Sequence, residues 1–218
     1  MRARSSPELP RPTSTPTIVR PWTRAHLNDK ARREALAVIS TAERDRYEST
    51  AEAGRDSFLA GRLMLRRLAA DLTGSTPEAV ALSAAVCPDC GGAHGRPQLA
   101  DSALHLSLSR TRDVVVAAAV WGAHLGIDVE DLDQPSDALA AIGVLTGETS
   151  LLRWTRVEAV LKADGRGLRI DPSLVSIESV GGEVRGSVAD RPARYGISEV
   201  ALTDQLRVSV AVELEPES

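Results

Sequence analysis

Hydrophobic positions recur along the chain at two spacings, one typical of helices and one typical of strands. Over residues 55–72 the apolar side chains fall on one helical face, and a Thr-Gly pair directly after them supplies a stop. A second helix is predicted over residues 148–163, ended by the glycine-rich residues 164–167. The charged, alanine-rich residues 29–47 predict a further helix.

The strand predictions depend on alternating or continuous apolar positions. Residues 104–108 alternate, and residues 114–120 form an unbroken apolar run that indicates a buried strand. After four residues the chain returns as a strand over 125–130, and the two runs together are typical of a β-hairpin. Residues 87–97 are predicted to form a loop. Shorter strands are expected nearer the C terminus, at 174–179, 194–196, 197–203 and 206–213.

The two halves of the chain repeat one order of elements. In each half a helix with a basic stripe comes first, glycines end it, and a hairpin then delivers an apolar strand. This order predicts an α+β fold made of two similar lobes related by a pseudo-twofold axis. The lobes are expected at residues 17–124 and 125–218, after a proline-rich, disordered lead over residues 1–16.

Composition and charge narrow the class of protein. Of the 218 residues, 43% are hydrophobic and 26% are charged, which is typical of a globular protein in water. No run approaches the ~18 apolar residues of a membrane span, and no signal core follows the N terminus, so a cytoplasmic protein is expected. The net charge of −4 argues against nucleic acid as the main partner.

Two acidic residues share one strand. Asp128 and Glu130 are two positions apart, so both carboxylates should project from the same face while Ile127 and Val129 point to the other. Adjacent carboxylates repel each other unless a cation lies between them, and hard oxygen ligands suit magnesium. A strand that simply reaches solvent would also end in acids, so the pair alone does not establish a metal site.

The helix over residues 148–163 adds a third carboxylate and an ammonium. Trp154, Glu158 and Lys162 stand at successive i, i+4 positions and form one stripe. A surface salt bridge between Glu158 and Lys162 would satisfy this spacing as well. The tryptophan on the same stripe and the nearby acid pair favour a site for a metal ion and a diphosphate.

Residues 126–130 (Gly-Ile-Asp-Val-Glu) and 154–162 (Trp-Thr-Arg-Val-Glu-Ala-Val-Leu-Lys) resemble the two signature motifs of the 4'-phosphopantetheinyl transferase superfamily. The closest type is the two-lobed, surfactin-synthetase-activating one. Upstream segments are similar to three further family elements, in the family's order: residues 58–66, residues 94–97 and residues 106–111. The resemblance covers roughly residues 55–170, and the five matches are specific only together.

The resemblance implies an activity and a set of roles. Such enzymes transfer the 4'-phosphopantetheine moiety of coenzyme A to a serine of an apo acyl or peptidyl carrier protein and release 3',5'-ADP. Asp128, Glu130 and Glu158 would then bind Mg²⁺. Glu158 would accept the serine proton, directly or through a metal-bound water, and Lys162 would contact a phosphate oxygen. Two-lobed members act as monomers, so a monomer is expected.

The resemblance also implies a nucleotide-binding set, which comprises Arg55, Arg62, Arg66, Arg96, Ser109, Arg110 and Lys162. The arginines among them would bind the phosphates of coenzyme A. Arg55, Arg62 and Arg66 lie on one stripe of the helix over residues 55–72, a pattern that a solvated helix edge would also produce.

The chain departs from the family pattern at several positions. Val157 stands where a lysine usually precedes the catalytic glutamate, Arg110 replaces a histidine, and Arg96 replaces a lysine. The interval between Asp128 and Glu158 is also shorter than expected, in the segment that helps admit the carrier protein. A non-catalytic relative that only binds coenzyme A or a carrier protein is therefore the alternative function.

Cys87, Cys90 and His94 form a separate candidate cluster. Structural zinc usually has four protein ligands, and only three are evident here, with His105 a conceivable distant fourth. The alternative is a thiol pair that stiffens the loop. A small zinc-linked nucleic-acid module would use such a cluster, but the net charge and the 3% aromatic content disfavour it.

Overall fold

The computed structural model describes residues 17–23 and 26–216 of the chain. It is a mixed α/β structure with small antiparallel sheets, which agrees with the α+β class predicted from the sequence. Residues 1–16, predicted to be a disordered lead, lie outside the described residues. Among the residues that are described, no helix is both long and apolar enough to cross a membrane.

The helices of the described chain are α1 (Asp29–Val38), α2 (Thr41–Ser49), α3 (Glu52–Thr73), α4 (Ser136–Thr146) and α5 (Leu151–Asp164). The strands are β1 (Ile18–Thr23), β2 (Leu82–Val86), β3 (Ala93–Leu99), β4 (Leu104–Arg110), β5 (Val114–Trp121), β6 (Leu125–Asp131), β7 (Val175–Val180), β8 (Glu183–Val188), β9 (Arg194–Glu199) and β10 (Leu206–Glu213).

A three-stranded antiparallel sheet in the order β1-β5-β4 forms the first layer, and α3 packs against it. Leu59, Leu63 and Leu65 of α3 are fully buried in a core that they share with α1 and this sheet. Gly74 ends α3 in the left-handed conformation, as the predicted stop requires. β2 and β3 form a separate hairpin whose second strand lies beside β4.

The second sheet has the order β6-β10-β9-β8-β7 and is antiparallel throughout. α5 lies across one face of it, and Val157, Val160 and Leu161 are fully buried there. Gly165 ends α5 in the left-handed conformation, so the stop predicted from the glycine-rich residues is confirmed.

The hairpin predicted from residues 114–120 and 125–130 is wrong. β5 pairs with β1 and β4, whereas β6 pairs with β10, so the short connection carries the chain from one sheet to the other. β5 is apolar on both faces, whereas β6 is apolar only on the buried face that carries Leu125, Ile127 and Val129. Val116 and Val120 of β5 pack against Ile127 and Val129 of β6 in a core that joins the sheets.

Other elements differ from the prediction in smaller ways. Residues 29–47 form two helices rather than one, because Ser40 caps α2 in a reciprocal capping box with Glu43. The predicted loop over 87–97 contains most of β3, and residues 194–203 contain one strand, β9, instead of two. β1, β2, β8 and α4 were not predicted from the sequence. β1 contains a proline, β2 is short, β8 is mostly polar, and α4 leaves apolar side chains in solvent.

Candidate active site where the two sheets meet

A cavity of about 850 Å³ opens where β4 of the first sheet lies beside β6 of the second. α3 and β3 provide further wall on one side, and α5 with the turn that follows it provides the other. Asp128, Glu130, Glu158 and Lys162 all line this cavity. The carboxylates predicted on the strand and on the helix therefore face the same cavity.

The close packing of α5 on β6 depends on Gly126. A β-carbon at this position would overlap the carbonyl oxygen of Ala159 and the amide nitrogen of Ala163, so only glycine permits this helix–strand distance. Asp128 and Glu130 follow Gly126 on the same face of the strand. The chain directions of α5 and β6 bring Lys162 opposite Asp128 and Trp154 opposite Glu130.

Lys162 connects the groups at the centre of the site. Its Nζ donates to Oδ1 of Asp128 at 2.6 Å and to the carbonyl oxygen of Ile127 at 3.1 Å. It also donates to Oγ of Ser109 at 3.0 Å, and that hydroxyl in turn donates to Oδ1 of Asp128 at 2.8 Å. Nζ lies 3.9 Å from Oε2 of Glu158. One ammonium thus lies between the strand carboxylate and the helix carboxylate.

Glu130 is held by two neutral donors. Nε1 of Trp154 donates to one carboxylate oxygen at 3.1 Å, and Nε2 of Gln134 donates to the other at 3.1 Å. Burial raises the pKa of Glu130, repulsion from Asp128 raises it further, and the Trp154 hydrogen bond opposes both. Trp154 therefore acts as a hydrogen-bond donor in the site. Its place on the predicted stripe indicated that it belongs to the site, but not that it binds Glu130.

Glu158 is mostly buried on the wall opposite the strand acids. Burial raises the pKa of its carboxyl, attraction to Lys162 lowers it, and repulsion from Asp128 and Glu130 raises it again. The net effect is a pKa above the ordinary range. A carboxylate in this setting is a better proton acceptor than a free glutamate.

The donor set fits a hard divalent cation such as Mg²⁺. Oδ2 of Asp128 is buried and has no hydrogen-bond partner in the described part of the chain, which leaves one carboxylate oxygen available. Glu158 adds a second carboxylate, which lies within ion-pair distance of Lys162. The three carboxylates are not tightly clustered: within the described ranges, the trio whose ligand atoms all lie within 4.8 Å is Cys87, Cys90 and His94.

Three of the arginines predicted to bind the nucleotide line the cavity: Arg62, Arg96 and Arg110. Arg62 is largely buried and stacks over Phe58, with its carbon Cζ 5.3 Å from the ring centroid. Burial lowers the pKa of Arg62, and attraction to Glu43 opposes this. Ser109 also lines the cavity, so this wall carries several groups suited to phosphate.

Two predicted arginines lie elsewhere. Arg66 is 2% exposed and forms a bidentate ion pair with Glu43, with nitrogen–oxygen distances of 2.5 and 3.3 Å. Arg55 donates to the backbone carbonyls of Glu48 and Thr50. α2 packs along the arginine stripe of α3 and supplies these partners, so the structure does not bring Arg55 and Arg66 to the cavity.

Further basic residues at the cavity escaped the sequence reasoning: Arg46, Arg166 and Arg169. Arg166 is paired with Asp164 and Asp190, which raises its pKa. Arg46 lies on α2, and the other two follow α5. The sequence gives a hint only for Arg166 and Arg169, which follow directly after the predicted catalytic helix.

Val157, the valine at the position usually occupied by lysine, is fully buried in the core beneath α5. This position therefore contributes no charge to the cavity. No known family model matches the chain, and no curated protein matches it either.

Proposed function

We propose that this chain is a 4'-phosphopantetheinyl transferase, which moves the phosphopantetheine arm of coenzyme A onto a serine of an apo acyl or peptidyl carrier protein. The supporting observation is the Lys162 ammonium between the carboxylates of Asp128 and Glu158, in a cavity whose other wall carries arginines. A diphosphate requires this combination of cationic contacts and metal ligands. The resemblance of residues 126–130 and 154–162 to the family motifs points to the same activity.

In this proposal the nucleotide of coenzyme A binds along the arginine wall. Arg62, Arg96 and Arg110 contact its phosphates, and Ser109 and Lys162 contact the diphosphate. Arg55 and Arg66 have no direct contact, since both are engaged by α2 and the residues beside it. The side chain of Arg62 is only 16% exposed, so water screens its charge weakly.

The reaction forms a bond between the serine oxygen and the β-phosphorus and breaks the diphosphate bond, so that 3',5'-ADP leaves. Mg²⁺ held by Asp128, Glu130 and Glu158 would offset the charge that develops on the phosphate oxygens. Glu158 accepts the serine proton, directly or through a metal-bound water. Lys162 neutralises charge on the departing phosphate.

The strand order supports a duplicated two-lobed fold for this activity. In residues 17–124 a strand (β1) precedes the helix α3, and the sheet order is β1-β5-β4. In residues 125–218 a strand (β6) precedes α5, and the order β6-β10-β9 repeats that arrangement. The hairpins β2–β3 and β7–β8 come at equivalent points in the order of elements along the chain. We infer a pseudo-twofold axis between the lobes, with the site between them.

We also propose that the enzyme acts as a monomer, since both walls of the cavity come from one chain. We propose in addition that it is cytoplasmic. The carrier protein would dock at the cavity rim, where Leu168 is 61% exposed beside Arg166 and Arg169. An acidic carrier helix would meet both apolar and basic groups there.

Mass spectrometry of an apo carrier protein tests the activity. Incubation with coenzyme A and magnesium should add one phosphopantetheine to the carrier, and EDTA should abolish this. Asp128→Asn and Glu158→Gln should reduce transfer by at least ~100-fold, in line with loss of a metal ligand or a general base. The exposed Asp204 provides a matched control, and Asp204→Asn should leave the rate unchanged.

Calorimetry with 3',5'-ADP separates the transferase from its alternative. A protein that binds this nucleotide but modifies no carrier would be a non-catalytic relative. A protein that binds neither the nucleotide nor a carrier, and modifies no carrier, would contradict both.

A further inference from the structure

The turn between β2 and β3 brings together three side chains of types that bind metal ions, two of which line the cavity. Cys87 follows β2 and is buried, Cys90 is exposed, and His94 is the second residue of β3. Their ligand atoms all lie within 4.8 Å of one another, and Sγ of Cys90 is 2.9 Å from Nε2 of His94. Residues 87, 90 and 94 are close in sequence, but only the pairing of β2 with β3 folds His94 back onto the cysteines.

We propose that Cys87, Cys90 and His94 bind one zinc ion, with water in the fourth position. Zinc bonds of about 2.3 Å to sulfur and about 2.0 Å to nitrogen place tetrahedral ligand atoms about 3.5–3.8 Å apart. The distances between the three ligand atoms are at most 4.8 Å, so each differs from this tetrahedral range by no more than ~1 Å. Two thiols each lose a proton on binding, and the resulting thiolates balance the charge of the ion.

Backbone hydrogen bonds hold the turn that carries the cysteines. The N–H of Cys87 donates to the carbonyl oxygen of Gly92 at 2.8 Å. Gly91 adopts φ of 72°, and its N–H donates to the carbonyl of Cys87 at 2.8 Å, which closes the turn. Arg169, whose Nη1 lies 3.8 Å from this sulfur, adds a positive charge nearby.

His105, considered from the sequence as a fourth ligand, is not part of the cluster. Its ring packs edge-on against His124, with a centroid distance of 4.8 Å. Asp89 lies 3.9 Å from the sulfur of Cys87, yet its carboxylate is not among the atoms that converge. Since Cys87 and His94 line the solvent-open cavity, water can reach the fourth position.

The zinc ion would stabilise the arginine wall. Arg96 is two residues after His94 on β3, so both side chains share one face of the strand and both line the cavity. Arg169 reaches the turn from the segment after α5 through Cys87 and Asp89. A metal that holds the turn closed would therefore hold two basic residues of the cavity in place.

The zinc content of the protein of residues 1–218 tests the proposal. The measurement does not depend on transferase activity, so failure of the zinc proposal can be told apart from failure of the proposed function. Reduced protein is loaded with zinc, dialysed, and assayed for metal and protein. We expect about one zinc per chain, and cobalt in its place should give thiolate-to-metal charge-transfer absorption.

The variants identify the ligands. Cys90→Ser and His94→Ala should lose the zinc, and both change exposed side chains, so folding should persist. His105→Ala, a matched histidine control, and Glu158→Gln, at the acidic site, should both retain it. Hydrogen exchange of the β2–β3 hairpin should be slower with zinc in the wild type.

Either of two outcomes would overturn the proposal. The reduced wild type could retain no zinc and form only a Cys87–Cys90 disulfide on oxidation. Alternatively, the zinc could remain in Cys90→Ser and disappear in Glu158→Gln, which would place it among the carboxylates.

Discussion

At the scale of single residues, the candidate site balances four charged groups in a partly buried space. Lys162 contacts Asp128 directly and lies near Glu158, while Glu130 depends on the neutral donors Trp154 and Gln134. Two of the three carboxyls have raised pKa values because burial disfavours their charged forms. Such a cluster is expected to reduce the stability of the ion-free protein, as functional sites often do.

Glu158→Gln should stabilise the protein in metal-free buffer. Folding raises the pKa of Glu158, so the folded state keeps a proton that the unfolded chain releases above its ordinary pKa of about 4.3. The free energy of unfolding therefore falls as pH rises from that value through the raised one. Without this group, the melting temperature at neutral pH should rise by roughly 2–4 °C, the shift that ~1 kcal/mol produces at this chain length.

Thermal unfolding followed by circular dichroism between about pH 4 and pH 8 measures this effect. Glu215, an exposed glutamate near the C terminus, is the matched control, and Glu215→Gln should leave the pH profile unchanged. Equal profiles for the wild type and Glu158→Gln would show that the buried carboxylate has no such cost.

Lys162→Met should destabilise the protein by about 3 kcal/mol, because it leaves the buried carboxylate of Asp128 without its cation. The double variant with Asp128→Asn should recover part of the loss, since the carboxylate that Lys162 pairs with is then neutral. Denaturant unfolding measures both. Lys30→Met, at the other lysine of the chain, is exposed on α1 and should have little effect. A double variant as unstable as Lys162→Met would contradict this account.

At the scale of elements, the site exists because α5 lies directly on β6. Their contact places a helical i, i+4 stripe against alternate residues of a strand, so Lys162 meets Asp128 and Trp154 meets Glu130. Gly126 permits the short distance between the two backbones. On α3, by contrast, packing removes a predicted residue from the site. α2 lies along the arginine stripe of α3, and Arg66 forms an ion pair with Glu43.

Gly126→Ala should separate α5 from β6. The added methyl group meets backbone atoms of Ala159 and Ala163, which cannot rotate away, so we expect a loss of at least ~2 kcal/mol in unfolding free energy. Gly196→Ala in β9 is the matched control, because its methyl would meet only the flexible end of Leu214. Denaturant midpoints compare the two, and similar losses in both would refute the close-packing argument.

At the scale of the whole molecule, the apolar core between the sheets joins the two halves. Val116 and Val120 of β5 pack against Ile127 and Val129 of β6, all of them nearly or fully buried. The cavity lies beside this junction and takes residues from both sheets. The site and the junction are therefore expected to depend on each other.

We predict one cooperative unfolding transition. Trp22 lies in the first half and Trp154 in the second, and the chain has one further tryptophan, Trp121. In variants that retain only Trp22 or only Trp154, fluorescence should give the same midpoint as circular dichroism of the same variant. Ile127→Ala should lower both midpoints together, by an unfolding free energy of about 2–5 kcal/mol. Val144→Ala, on α4 and 85% exposed, should change neither. Separate midpoints for the two tryptophans would mean that the halves unfold independently.

Much of the acidic half of the site could be predicted, and much of its basic half could not. The positions of Asp128 and Glu130 on a strand and of Glu158 and Lys162 on a helix were set by local periodicity, and the structure brings all four to one cavity. The role of Arg66 depends on Glu43, which lies in another helix. The sequence around Glu43 indicates only a capping box and not a pairing with Arg66.

The sequence by itself determined the helices α3 and α5, their glycine stops, the strands β4, β5, β6 and β10, and which side chains share a face. These follow from dihedral preferences and side-chain spacing, which act over a few residues. Only the tertiary structure decided that β5 and β6 belong to different sheets, that α2 takes Arg55 and Arg66 from the cavity, and that His94 joins two cysteines. Those outcomes depend on which distant surfaces bury one another, and local patterns do not record that choice.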